Sequence, residues 1–342
     1  MKFESSYFSS REKKFSNTEY NVITKFPKNA LIELSNACNH ACVFCNNPRM
    51  KRKINFLDKD TFLNFIRQAS SLGLEEIGLY STGEPFMIKN LDWFIKTSKE
   101  NNIKRVYLTS NGALASLEKV KSAYENGLDS IKYSINSSSK NNYKIIHGKD
   151  DFLKVLKNIN DVFKWKKNNN IKLQMLSSFI YTKRTHKEIK SYKKIFGKYF
   201  EEMKIFPAGS QGGRINNIIK KISTDAIIKD KKNLKPCDML WNRIHLTCEG
   251  HLTACCVDYE LDLVYADFKN SKEELINIWN NNLMQKLRKK HLDKDLDGSL
   301  CNNCLLGVNE KYKKLMDTGF LKNNKKENSI LRERTALSSL TI

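Results

Sequence analysis

The chain has 342 residues, 40% hydrophobic and 10% aromatic, which excludes wholesale disorder and allows a sizeable core. No apolar run approaches the roughly 18 to 20 residues that span a bilayer, and the N-terminus MKFESSYFSSREKKF lacks the apolar region of a secretory signal, so a cytoplasmic protein without a membrane span is expected. Sixty Lys and Arg against 37 Asp and Glu give a net charge of +23; this basicity is dispersed through Lys- and Asn-rich stretches with no aromatic-interleaved stripe, which argues against nucleic-acid recognition and suits an anionic partner or substrate.

From residue 31 the chain alternates in type. LIELS (31–35), EEIGLYS (75–81), RVYLTS (105–110), SIKYSIN (130–136), IKLQMLSSFIY (171–181) and EEMKIFP (201–207) read as strands. Between them DTFLNFIRQASSLG (60–73), LDWFIKTSKEN (91–101), SLEKVKSAYENG (116–127), DFLKVLKNINDVFKWKKN (151–168) and HKEIKSYKKIFGKYF (186–200) have helical spacing. The pattern repeats about every thirty residues, the size of a βα unit, and argues for a parallel sheet. Its length suits about six units better than a complete eight-fold barrel; periodicity alone leaves an open doubly wound sheet equally possible. After Pro207 a glycine-rich link, AGSQGGRINN, ends the alternation. RIHLTCEGHLTACC reads as a hairpin turning at Glu249-Gly250, and residues 273–291 as a helix. The tail from about 311 is Lys-rich and aperiodic.

Nine cysteines fall into two groups: Cys38, Cys42 and Cys45 near the front, and Cys237, Cys248, Cys255, Cys256, Cys301 and Cys304 at the rear. An odd number in a reducing compartment argues against a disulfide framework and for metal or cluster ligands. Cys38-x3-Cys42-x2-Cys45 directly follows the first strand, where parallel α/β folds build their sites. Three thiolates so close can hold three corners of a [4Fe–4S] cluster and leave one iron open; a zinc site using His40 or a distant ligand is the alternative.

On these residues the chain resembles the radical S-adenosylmethionine (radical SAM) superfamily. The resemblance implies that the open iron is chelated by SAM, and that reductive SAM cleavage yields a 5′-deoxyadenosyl radical that abstracts a substrate hydrogen. It also implies an external one-electron reductant such as flavodoxin or ferredoxin. Phe44 matches the aromatic residue that lies by the adenine. STGEP (81–85) looks like the glycine–glycine–glutamate segment that contacts the SAM amino group; Thr82 replaces the first glycine, leaving Gly83 and Glu84 to serve. TSNG (109–112) resembles another recurring segment, though a plain Asn-Gly turn explains it as well. Ser134 and Asn136 resemble positions that bond the SAM carboxylate or ribose.

At the rear, Cys237, the Gly250-x4-Cys255 pair and Cys301-x2-Cys304 supply four thiolates. Spacing alone leaves an iron–sulfur cluster and structural zinc both open. The arrangement is similar to the SPASM and shorter "twitch" extensions, which implies one auxiliary cluster, most simply [4Fe–4S]. Cys256 competes with Cys255 as ligand, and the glycine spacing favours Cys255. Cys248 is expected to be a small buried residue. Asp258, in CCxD, is a candidate acid or base, or else a solvated loop carboxylate. The histidines show no ligand spacing.

The expected architecture is α/β: an N-terminal arm (1–26), a partial (β/α)6 radical SAM barrel (27–212), a small Cys-rich α+β SPASM/twitch module (213–310) and a basic tail (311–342). The expected function is oxidation or epimerisation of a small molecule such as a sugar or aminocyclitol, in line with the short segment before the first strand and the basic charge. Alternatives are a peptide- or protein-modifying radical SAM maturase and, from another class, a non-catalytic iron–sulfur or zinc protein that binds nucleic acid.

Overall fold

The computed structural model describes residues 18–224 and 231–316; residues 1–17 of the expected arm and 317–342 of the expected tail lie outside the described residues. All six expected strands are present: β1 (Asn29–Ile32), β2 (Glu76–Gly78), β3 (Arg105–Ser110), β4 (Ser130–Ser134), β5 (Gln174–Tyr181) and β6 (Glu202–Pro207). They pair in parallel and in chain order. Consecutive order sends every right-handed crossover back over the same face, whereas a doubly wound sheet reverses its order at a switch point. The sheet is therefore a partial barrel, which removes the doubly wound alternative.

The outer face is covered by α1 (Lys59–Ser71), α2 (Leu91–Glu100), α3 (Leu117–Glu125), α5 (Phe152–Asn168) and α6 (Ile189–Phe196). Asp58 starts α1 by accepting a hydrogen bond from Thr61 N–H at 2.8 Å, and Phe62, Phe65, Ile66 and Ala69 form its buried stripe. A further helix, α4 (Lys140–His147), lies where the sequence suggested none. Its segment is rich in Lys and Asn, but Ser139 caps its start and Gly148, at φ 65°, stops it. The expected helix over 186–200 is α6 flanked by two 3₁₀ turns.

Strand alternation decides what faces inward. Ile131 and Tyr133 of β4, and Met203 and Ile205 of β6, pack in the core beneath the helices. Lys132, Ser134 and Lys204 therefore face the barrel interior.

The rear residues extend the same sheet. The expected hairpin is present as β7 (Ile244–Leu246) and β8 (His251–Thr253), turning at Gly250 with φ 89°, and β9 (Val264–Asp267) follows. β7 pairs in parallel with β1, Leu31 opposite His245, so nine strands run in the order β6-β5-β4-β3-β2-β1-β7-β8-β9. Five helices follow β6 among the described residues: α7 (Asn216–Ile222), α8 (Met239–Asn242), α9 (Leu275–Trp279), α10 (Asn282–Leu292) and α11 (Leu300–Leu306). The helix expected over 273–291 is thus two, split where Asn281 turns its side chain to cap α10 by accepting from Met284 N–H at 3.0 Å. The N-terminal strap rides on the rear half: Trp241 Nε1 donates to Asn21 O and Trp279 Nε1 to Lys25 O. No helix among the described residues is long and apolar enough to cross a membrane.

Candidate active site

The front cysteine loop is held in place by α4. The last carbonyls of a helix lack partners within it. Here Ile146 O and His147 O accept from Val43 N–H and Ala41 N–H, both at 3.0 Å. On the other side, Asn47 Nδ2 donates to Asn36 O at 2.8 Å and to Thr82 O at 2.7 Å, and Glu84 N–H donates to Ala37 O at 2.8 Å. The loop is thereby zipped to STGEP.

Each front thiol has a donor beside it. Asn111 Nδ2 lies 4.0 Å from Cys38 Sγ, His147 Nδ1 3.6 Å from Cys42 Sγ, and Asn47 N–H and the Tyr259 hydroxyl each 3.4 Å from Cys45 Sγ. His147 Nε2 accepts from Asn136 N–H at 3.2 Å, so Nδ1 carries the ring proton and points toward Cys42 and His40. Burial pushes His147 well below the usual histidine range, and His40 adds to this, so the ring is neutral. Burial, and for Cys38 also Glu84, pushes the front thiols up; three thiolates here call for a cationic group among them. Such a donor set suits an iron–sulfur cluster, whose sulfurs accept hydrogen bonds that set its potential. Among the described residues, His40, Cys42 and His147 also bring ligand atoms within 4.8 Å of one another, a feature that suits zinc at the front.

Glu84 is buried, with Ser110 Oγ and Asn111 N–H donating to it at 2.8 Å and Phe86 N–H at 3.2 Å. Burial outweighs those bonds and raises its pKa to about 7. TSNG, which the sequence left open between a recurring family segment and a plain Asn-Gly turn, is therefore both a turn and a cradle for Glu84, through Ser110 and Asn111. A Cβ on Gly83 would stand 2.3 Å from Ser35 O and 2.5 Å from Ala37 O, so only glycine fits where this loop crosses the front loop. Phe44 packs in an apolar cluster with Val43, Ile146, Ala208, Ile215 and Ile219. Asn136 Oδ1 accepts from Ile180 N–H at 2.8 Å, and its amide reaches Ser134 Oγ at 3.4 Å, so the pair ties β4 to β5 at the barrel mouth.

The rear cysteines converge. Cys237, Cys255, Cys301 and Cys304 line one small cavity walled by Leu240, Ala254, Leu263, Leu300 and Leu305. Cys237 precedes α8, Cys255 follows β8, and Cys301 and Cys304 lie on α11, which Ser299 caps. His291 also lines this cavity, although histidine spacing suggested no role. Its Nδ1 accepts from Cys237 N–H at 3.3 Å, so Nε2 carries the proton; Nε2 is buried without a protein partner among the described residues. The glycine-rich link is part of the site: Gly212 lines the cavity, and a Cβ on Gly213 would meet Asn303 and Cys304 backbone at 2.7 Å.

Cys256 is absent from the lining of that cavity. Its carbonyl accepts from Ser81 Oγ at 2.9 Å. A hydrogen bond from Cys255 lowers the Cys256 thiol, burial opposes this, and the Lys132 ammonium inside the barrel adds to the lowering. Asp258 is buried; Thr253 Oγ1 donates to it at 2.7 Å, and Asp262 N–H and Leu263 N–H each at 2.8 Å. These bonds brace the turn between β8 and β9. Burial nonetheless pushes Asp258 up. Cys248 is buried as expected, but among charges: Arg52 lies between Glu33 and Glu249, with Cys248 Sγ 3.4 Å from its guanidinium.

The family model of the radical SAM superfamily matches residues 32–176, and that of the SPASM iron-sulfur cluster-binding domain matches residues 237–305. A GTP 3′,8-cyclase of Clostridium botulinum (strain Okra / Type B1) is 30% identical over 132 residues, 37% of this chain and 41% of that relative. The matched stretch thus spans less than half of the relative's length. The crystal structure of BtrN in complex with AdoMet and 2-DOIA superposes with a TM-score of 0.58 at 20% identity, covering 84% of this chain and 98% of that one. Streptococcus suis SuiB bound to precursor peptide SuiA gives 0.58 at 14% identity, over 90% and 77%. These two likenesses concern the fold.

Proposed function

This chain is a radical SAM enzyme with a C-terminal SPASM domain, and we propose that it abstracts hydrogen from a small molecule such as a sugar or aminocyclitol, made anionic by a linked phosphate or nucleotide, and completes an oxidation through the rear cluster. A [4Fe–4S] cluster and SAM, when bound at Cys38, Cys42 and Cys45, supply hydrogen abstraction by a carbon-centred radical. Buried Glu84 suits an ammonium partner beside the front loop, and Gly83 lets that loop approach. Lys132 and Lys204 give the barrel interior two cations for an anionic substrate.

One observation carries the oxidation reading. The turn Cys255–Tyr259 touches both cysteine sites: Cys255 lines the rear cavity, and the Tyr259 hydroxyl reaches Cys45. In this reading the substrate sits at the barrel mouth, between the two. An iron–sulfur cluster held by Cys237, Cys255, Cys301 and Cys304 would supply a one-electron acceptor for such an oxidation, which removes two hydrogens from the substrate overall. Asp258 braces this turn, and the proposal gives it a positioning role. Cys256 favours a second reading. Its thiol is not in the lining of the rear cavity and the Lys132 ammonium helps to lower it, so in this reading it returns a hydrogen atom, which would make the reaction an epimerisation; an external one-electron reductant and a proton would then restore the thiol.

The test is a panel of anionic sugars and aminocyclitols incubated anaerobically with protein, SAM and dithionite in D2O. Oxidation predicts 5′-deoxyadenosine and a dehydrogenated product, retained in Cys256→Ala. Epimerisation predicts one solvent deuterium in the product, lost in Cys256→Ala. No substrate-dependent 5′-deoxyadenosine from any of these compounds would sink the small-molecule assignment.

A further inference from the structure

A cluster held by the front cysteines would take its electrons from outside, and a cleft opens beside that site. The cleft, about 850 Å³, lies between α4, the turn after β5 and α7 (Asn216–Ile222). Its floor is apolar and includes Ile146, Ile222 and Val43. Val43 is the residue after Cys42, and both Cys42 and Cys45 pack against the apolar cluster that contains Val43 and Ile146. The floor of the cleft is thus the back of the cysteine loop. Its rim carries Lys183, Arg184 and Lys221, all exposed, and no lining residue is acidic. None of the three pairs with a carboxylate among the described residues.

We propose that this cleft docks an acidic one-electron carrier protein that reduces the front cluster through the Val43 edge of the loop. The proposal rests on the front cysteines holding that cluster. An apolar centre ringed by like charges has the anatomy of a transient interface. The cationic rim and the net charge of +23 complement an acidic partner and steer its approach. A carrier seated on this floor meets Val43, the residue next to Cys42, and Ile146, which packs in the same apolar cluster as Cys42 and Cys45.

The test uses the reconstituted full chain and reduced flavodoxin of acidic surface. Anaerobic stopped-flow absorbance follows bleaching of the cluster, and calorimetry with oxidised flavodoxin measures binding. The charge-reversal variant Lys183→Glu/Arg184→Glu/Lys221→Glu should lose about tenfold or more in both the flavodoxin-driven rate and the affinity. Its rate with dithionite, a small reductant that needs no docking, should stay at the wild-type level. Lys164→Glu/Lys167→Glu/Lys193→Glu makes the same change of charge on α5 and α6 and should leave both readouts near wild type. Wild-type flavodoxin kinetics and affinity in the cleft variant, or an equal loss in the control, would overturn the proposal. A wild-type protein that dithionite cannot bleach would show instead that the front-cluster reading has failed.

Discussion

The Tyr259 hydroxyl, from the rear half of the chain, lies 3.4 Å from Cys45 Sγ of the front loop. Its single proton is shared with Gln211 Oε1, 2.6 Å away in the glycine-rich segment that packs against the rear site. Hydrogen bonds to ligand sulfur raise the reduction potential of a cluster. Tyr259→Phe should therefore lower the front midpoint potential, by on the order of 40 mV if the bond is worth about 1 kcal/mol. An EPR-monitored redox titration reads this directly. An unchanged front potential would remove Tyr259 from the link between the two sites.

SAM binding should depend on pH through Glu84. Its pKa, raised to about 7 by burial, leaves the carboxyl partly protonated at neutrality. Ionisation provides the charge that an ammonium group needs, so affinity should rise between about pH 6 and about pH 8. The effect on folding has the opposite sign. With the folded value raised, the contribution of Glu84 to stability is present below the unfolded value of 4.5 and is lost as pH rises through about 7. Glu84→Gln should weaken SAM about tenfold or more and flatten the profile relative to wild type. Calorimetry across pH checks this; the same slope in both proteins contradicts it.

Gly83→Ala should be among the most damaging small substitutions at the front site. Its Cβ would meet two backbone carbonyls, of Ser35 and Ala37, which cannot rotate away. Overpacking of this kind costs about 1–3 kcal/mol. The loop must retreat, taking Glu84 with it, so SAM affinity should fall more than stability does. Thermal melts paired with SAM titration separate the two effects.

Arg52 clamps the front half to the rear half. It is fully buried, bonded to Glu33 next to β1 and to Glu249 in the β7–β8 turn. Burial pushes Glu33 up, and the Arg52 guanidinium, with Thr82 and Cys248 N–H, more than reverses this. Arg52→Met strands two buried carboxylates and should cost about 3–5 kcal/mol. Adding Glu33→Gln and Glu249→Gln removes the stranded charge and should recover part of the loss. Urea midpoints test both steps; a cost below about 1 kcal/mol for Arg52→Met would contradict the clamp.

The barrel was legible because its strands and helices repeat with clear periods, and the cysteine groups because thiol spacing is a strong local signal. Hydrophobic periodicity says nothing of strand order, so the joining of β7 to β1 was hidden, and with it the continuity of the sheet. Helix α4 was missed because only Tyr143, Ile146 and His147 of its eight residues are buried. With α4 went His147 and its place beside Cys42. His291 had no signal at all, since it reaches Cys237 across 54 residues of chain. Gly212 and Gly213 looked like a linker because glycine at close contacts and glycine in a flexible link are the same letters.

The most direct measurement is iron, acid-labile sulfide and zinc content with EPR after anaerobic reconstitution. It compares the wild type, Cys38→Ala/Cys42→Ala/Cys45→Ala, and Cys237→Ala/Cys255→Ala/Cys301→Ala/Cys304→Ala. Two [4Fe–4S] sites predict about eight irons in the wild type and about four in each variant, with only the wild type and the rear variant showing a signal that SAM perturbs. About four irons in the wild type, none in the front variant, and zinc held by the rear cysteines would contradict the account, because redox-inert zinc cannot accept the substrate's electron.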